Sequence, residues 1–387
     1  MRRCINWLSS KAARDTSSGQ FIPEIDGLRF IAIASVVLFH LNWFITSKTG
    51  REEGAIALSR FLSHGDVGVR LFFVISGFVI ALPFAKGHLS GGRVPRLRDY
   101  LLRRLTRLEP PYIINLLIRF LLLTFLMGQA PGDLLPHLLA SICYLHNIVY
   151  GAMSSVNFVA WSLEIELQFY LLAPLIACLF LIRSKALRRL LLVALIALFS
   201  GLSYAVAGSP RFSLSILSSA QFFLTGFLLV DIYLADWRQR PALSLRWDLV
   251  SALGWSSVIA LLYLGKAAEA FLAVPVFVAY LAAFRGSLSN RFFRQPAVYI
   301  IGGMCYTIYL YHYSVISALV RPLLGLSFWS RLPLWLELTG ASLILLPAIL
   351  LVCTLMFVLI EKPCMKRDWY LRLFDRFKED TVRSPLS

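Results

Sequence analysis

The sequence predicts an all-α membrane protein, a polytopic bundle of about ten transmembrane helices with both termini in the cytoplasm. Three observations carry that prediction. The 387 residues are 58% hydrophobic and only 15% charged, with a mean hydropathy of +0.71, where a soluble domain holds about 25% charge. Runs such as Phe169–Ile182, Leu190–Val206 and Leu338–Ile360 are apolar around the whole helix, the pattern of a segment facing lipid or a bundle interior. The charge is also lopsided. With ten spans and an N-terminus inside, 28 of the 38 Lys and Arg fall in cytoplasmic segments and 7 in outer loops, as the positive-inside rule requires.

Residues 1–19 are polar, with Arg2, Arg3, Lys11 and Arg14 and no long apolar core. They are expected to form a cytoplasmic segment rather than a cleavable signal peptide. The transmembrane domain then occupies 20–365, with spans at about 28–46, 67–85, 110–128, 161–182, 190–207, 214–234, 248–264, 270–284, 298–320 and 335–360. One apolar stretch, Leu134–Tyr150, is interrupted by His137, His146 and Asn147. If it crossed, the cluster Arg183, Lys185, Arg188 and Arg189 would face outward, so it is expected to be re-entrant or interfacial. Residues 366–387 read as a cytoplasmic basic tail lying on anionic lipid.

The formal charge of +17 is thus a topology signal, and nucleic acid is not an expected partner. The six cysteines show no CxxC or CxxH spacing and mostly sit in apolar segments, where a thiol behaves as a small hydrophobe. Neither a metal site nor a disulfide framework is expected.

Five stretches carry candidate chemistry. The first runs from Glu24 and Asp26 through Arg29 to His40. Ionisable groups at membrane depth cost about 3 kcal/mol each, so an intramembrane pair marks a functional site by default. Eleven residues of helix rise about 16 Å, placing an anion-binding charge at one depth and a titratable base at another. The structural alternative is an Arg29 that snorkels to the headgroups. In the second stretch, Arg104 and Arg107 are three apart and share a helix face, where they could clamp a phosphate; ordinary positive-inside charge is the alternative. In the third, Glu164 and Glu166 flank Ile165 and must point to different sides of a helix. One of them could orient or charge the imidazole of His40, or pair structurally with Arg29 or Arg70. The fourth, Gly68 to Phe78, contains Ser76 and Gly77, a small pair that permits close helix approach. The fifth, Tyr306 to Tyr313, sets a second intramembrane histidine, His312, among aromatic residues, with packing as its plain role and a supporting one as the alternative.

Together the segments EIDGLRFIAIASVVLFH, GVRLFFVISGF, WSLEIELQFYLL, YTIYLYH and IEKP resemble, in order and spacing, the acyltransferase-3 family of bacterial integral-membrane O-acyltransferases. The resemblance covers roughly residues 20–365. It implies transfer of an acetyl or other short acyl group from cytoplasmic acyl-coenzyme A, a co-substrate rather than a bound cofactor, to a hydroxyl of a carbohydrate acceptor, in the bacterial inner membrane. The family's Arg-x10-His pair falls on Arg29 and His40, its Arg-x-x-Arg on Arg104 and Arg107, and its Glu on Glu166. By that resemblance His40 and Glu166 are catalytic, Arg29, Arg104 and Arg107 bind the donor, and Asp26, Ser76 and His312 support them. An acyl-imidazole on His40 stays open beside general-base catalysis. Arg70 stands where many members carry Asp. The hydrolase-like domain of longer members has no counterpart, so the chain is expected to pass the acyl group on by itself. Two other classes remain, a transporter and a structural component of a polysaccharide export system; only the enzyme predicts thioester turnover.

Overall fold

The computed structural model describes residues 21–206, 208–239, 241–325, 329, 332–365 and 369, which leaves the N-terminal segment 1–19 and all of the tail 366–387 except Trp369 outside the described residues. The described chain is helical, and no strand occurs in it; Ser244 and Gly286 form a single bridge. The main helices are α1 (Pro23–Thr49), α2 (Val67–Leu89), α3 (Leu97–Phe125), α4 (Pro131–Ile142), α5 (His146–Tyr150), α6 (Trp161–Ile176), α7 (Lys185–Ala205), α8 (Ala220–Ala235), α9 (Arg246–Tyr263), α10 (Ala273–Arg285), α11 (Cys305–Leu324) and α12 (Leu334–Met356). Seven helical stretches are long and apolar enough to cross a membrane: 23–49, 57–89, 97–126, 158–181, 185–205, 268–285 and 334–364. The three other expected spans are helical too, as α8, α9 and α11. α8 has only 16 residues, about 24 Å at the helical rise.

α1 is the axis around which the site is built. Pro23 fits the first helical position, where no N–H is needed, and Glu24 and Asp26 complement the N-terminal dipole. Gly50, with φ 65°, ends the helix in the left-handed conformation that glycine takes without cost. The chain then turns back into the bundle: Asn42 Nδ2 donates to the Ser59 carbonyl at 3.2 Å. A Cβ on Gly65 would stand 2.9 Å from Phe39 Cβ, and one on Gly68 2.2 Å from the Ala32 carbonyl. The start of α2 therefore lies at the depth of Phe39, inside the bundle.

Small residues also join α2 to α8. A Cβ on Gly77 would meet the Phe223 carbonyl at 2.1 Å, and one on Gly226 the Val74 carbonyl at 2.3 Å. The backbones touch, which is the packing expected of Gly77, and Phe169 stacks on Phe223 beside this seam with ring centroids 4.0 Å apart. On α7 and α8, Arg188 and Arg189 share Asp231, Arg189 Nε at 2.6 Å from Asp231 Oδ2, so part of the expected loop cluster is a buried structural tie.

Leu134–Tyr150 folds as two short helices separated by Tyr144, whose φ is 56°. The longer, α4, has 12 residues, about 18 Å against a hydrocarbon core of about 30 Å. Tyr112 of α3 donates to the Ser141 carbonyl, whereas Arg119, two turns further along α3, donates to the Val156 carbonyl. The segment thus descends beside α3 and returns, the shape expected of a re-entrant stretch.

Candidate active site

Three arginines converge on one cavity. Arg29 of α1 and Arg104 and Arg107 of α3 line a space of about 110 Å³ together with Ser76, Glu166 and Tyr309. Arg104 and Arg107 lie on one helix face, as their spacing requires. Their surroundings differ. Arg29 pairs with Asp26, and Arg107 Nη2 lies 3.7 Å from Glu361 Oε1. Arg104 donates to the Val79 carbonyl at 3.3 Å and lies over the Tyr170 ring at 5.9 Å. Among the described residues it makes no ion pair within 4 Å, unlike Arg29 and Arg107.

Glu361 was not singled out by sequence reasoning, which saw only the segment IEKP. It ends a short π-helical turn, Phe357–Glu361, and accepts from the Thr307 amide at 3.2 Å and the Thr307 hydroxyl at 2.5 Å. A carboxylate in an irregular turn, tied to α11 and facing Arg107, holds the cavity wall together.

Glu166 and Glu164 diverge, as two positions about 200° apart on a helix must. Glu166 Oε1 accepts from Ser76 and Tyr170, each at 2.7 Å. Glu164 is buried and accepts from the Asn147 amide at 2.8 Å, satisfying an otherwise orphaned donor at the start of α5. The expected contact of a glutamate with His40 does not form, because α6 sets Glu166 against α2 rather than against α1. Neither does a pair with Arg29 or Arg70; Arg70 instead bonds Asp66 and Glu269.

The partner of His40 is His312. Tyr306, Tyr309 and His312 follow at three-residue intervals on α11, and the first two line the cavity while His312 lies one turn beyond. His312 Nε2 stands 3.0 Å from His40 Nδ1. Hydrogen-bond logic then fixes both tautomers. His312 Nδ1 faces the carbonyls of Ile308 and Tyr309, both at 2.9 Å, and a carbonyl only accepts, so this nitrogen carries the proton and Nε2 is the acceptor. His40 Nδ1 faces the Val36 carbonyl at 3.0 Å and that acceptor, so it too carries its proton. His40 Nε2 is left with the lone pair and has no hydrogen-bond partner among the described residues. Phe39, Phe158 and Tyr313 surround the ring, and it pairs with no carboxylate among the described residues.

Sequence reasoning also passed over Arg119. It lies within the third span, donates from Nε to the Val156 carbonyl at 2.6 Å and from Nη1 to Ser314 Oγ at 2.9 Å, and sits over the Tyr313 ring. Asn115, one turn away, joins Leu310 and Asn157. The available signal was a lone cation in an apolar run, which marks a functional or structural polar contact at depth.

Comparison with known proteins finds O-acetyltransferases among the relatives of this chain. O-acetyltransferase OatA of Staphylococcus aureus (strain NCTC 8325 / PS 47) is 26% identical over 330 residues, covering 77% of this chain and 51% of that protein. A putative O-acetyltransferase of S. aureus strain COL is 27% identical over 334 residues, with the same coverage of 77% and 51%. The chain spans about half the length of the curated relatives it matches. No solved structure matches it. The model of the acyltransferase-3 family, described as an acyltransferase domain, matches residues 22–360, and the chain belongs to that family.

Proposed function

We propose that residues 20–365 act as a membrane O-acyltransferase that moves an acetyl or similar short acyl group from acyl-coenzyme A to a carbohydrate hydroxyl, in the bacterial inner membrane. The arginine end faces the cytoplasm. The observation that carries this reading is the convergence of Arg29, Arg104 and Arg107 on one cavity that ends one helical turn short of His312, whose partner His40 keeps Nε2 without a hydrogen bond among the described residues. The arginines hold the donor's phosphates by charge-assisted contacts, and the thioester is presented near Tyr309. His40 Nε2 takes the proton of the acceptor hydroxyl as its oxygen attacks the thioester carbonyl. The C–S bond breaks, the coenzyme A sulfur recovers the proton from the imidazolium, and an ester and free thiol result. General-base assistance of this kind contributes 10²–10⁴ in rate. His312 keeps the base in the competent tautomer, and Glu166 with Ser76 and Tyr170 shapes the cavity beside the thioester.

Two measurements test this. Purified protein should bind acetyl-coenzyme A by calorimetry, and cells with and without the protein should differ in the acyl content of their surface glycans by mass spectrometry. Absence of binding at millimolar acetyl-coenzyme A overturns the reading. A cysteine placed within 183–189 should react with a membrane-impermeant thiol reagent only after cells are opened; labelling in intact cells would reverse the assigned orientation.

A further inference from the structure

Arg119 stands where a cation is costly. It lies in the apolar part of α3, is half-buried, and makes no ion pair among the described residues. Its guanidinium offers what a short amide side chain lacks, a long reach and several donors in a rigid fork. Nε reaches the Val156 carbonyl at 2.6 Å and Nη1 reaches Ser314 Oγ at 2.9 Å. One side chain thus fastens α3 to the loop before α6 and to α11. The same guanidinium lies over the Tyr313 ring, 5.7 Å from its centroid, a cation–π contact.

The loop held in this way carries Phe158, and it is tied on both sides of that residue. Besides the Val156 contact, Asn157 Nδ2 donates to Asn115 Oδ1 at 2.8 Å, and the Val159 carbonyl accepts from the Tyr309 hydroxyl. The Phe158 ring lies 5.7 Å from the His40 ring and 4.5 Å from that of Tyr313, and Tyr313 lies 5.8 Å from His40. The three rings are steeply inclined to one another, at 63°, 89° and 78°. Two aromatic walls therefore meet in a corner against the imidazole. The bonds at His40 Nδ1 pin one atom of that ring, and a ring pinned at one atom can still swing about it. The corner blocks the swing and sets where Nε2 points.

We propose that Arg119 is a positioning residue for acyl transfer: by binding Val156 and Ser314 at once it holds Phe158 and Tyr313 against the imidazole and so aims the lone pair of His40 Nε2. This rests on the acyltransferase reading above and adds to it a residue that acts through the aromatic corner, without touching either substrate.

The test reads thiol release from acetyl-coenzyme A in membranes carrying the full chain, less that of membranes without it, counted per donor site of the purified variant. Arg119→Gln should lower kcat by about 10- to 100-fold, as a misplaced catalytic group does, with the donor KM within twofold of the parent. Phe158→Leu should lose a similar factor. The two together should be no slower than the slower single variant, because both act through one ring. Multiplied losses in the double variant overturn the proposal, as do parent-like turnover in both single variants and a donor KM that rises as kcat falls. Should Arg119→Gln fail to fold, Ser314→Ala, which keeps the Val156 contact, takes its place in the same cycle with a smaller loss and the same non-additivity with Phe158→Leu. Failure of the parent reading is distinguishable, since the unmodified chain would then bind no acetyl-coenzyme A.

Discussion

The arginine cavity and the histidine pair adjoin on α11, yet they are built by opposite rules. Around the cavity, charges are abundant: Asp26 faces Arg29, Glu361 faces Arg107, Glu166 rests on two hydroxyls, and Arg104 forms no ion pair among the described residues. One turn away, the hydrogen bonds of His40 and His312 among the described residues run to backbone carbonyls and to each other, with aromatic rings around them. The difference teaches how the bundle separates two tasks. Holding an anion needs several cations at one depth, with carboxylates that keep them placed when the site is empty. Accepting a proton needs a single lone pair whose direction is fixed, and neutral carbonyls can fix it without bringing a charge to membrane depth, where charge is costly.

The comparison breaks first at His40. His40→Ala should lower the turnover of acetyl-coenzyme A by about 10³-fold, within the range for a lost general base, with membrane insertion and yield near normal. Activity within threefold of the parent would move the base elsewhere. His312→Ala should come next, lowering kcat by about 10²-fold with little change in the donor KM, since a wrong tautomer disables a base while leaving geometry intact. His312→Gln should recover part of that loss, because its amide oxygen can accept from His40 Nδ1; equal loss in both variants would reduce His312 to packing.

The cavity side should respond in the donor KM. Arg104→Ala should raise it ten- to a hundredfold, since charge-assisted contacts are worth about 1.5–3 kcal/mol. Arg107→Ala should raise it less and should also lower Tm, because it removes the guanidinium that faces the buried Glu361 carboxylate. Equal effects would mean that Arg104 has no special share of the phosphate. The smallest effect is expected at Glu164. Glu164→Ala removes the acceptor from the Asn147 amide and should cost about 1–3 kcal/mol of stability, read as a lower Tm, with donor KM unchanged.

Much of this architecture was legible in the chain. Apolar runs located the helices, an interrupted run coincides with the two short helices α4 and α5, and three-residue spacing put Arg104 and Arg107 on one face. What escaped was contact between distant segments. His40 and His312 are 272 positions apart, and no local period links them, so a glutamate was expected where a second imidazole stands. Arg188 and Arg189 read as loop charge because Asp231 lies inside an apolar helix on the far side of a loop. The cavity lined by Asp66, Arg70, Ser203, Gln221 and Glu269 left no trace in the pattern, since these residues come from segments far apart in sequence whose neighbours are set by packing.

Val69 and Phe73 line both the arginine cavity and a second cavity beside Arg70, and this shared wall carries an electrical consequence. Where water fills a vestibule on each side, the membrane voltage no longer falls over the whole thickness of the bilayer. It concentrates across these two side chains, and each 100 mV is worth about 2.3 kcal/mol per elementary charge. The partition therefore insulates as well as divides.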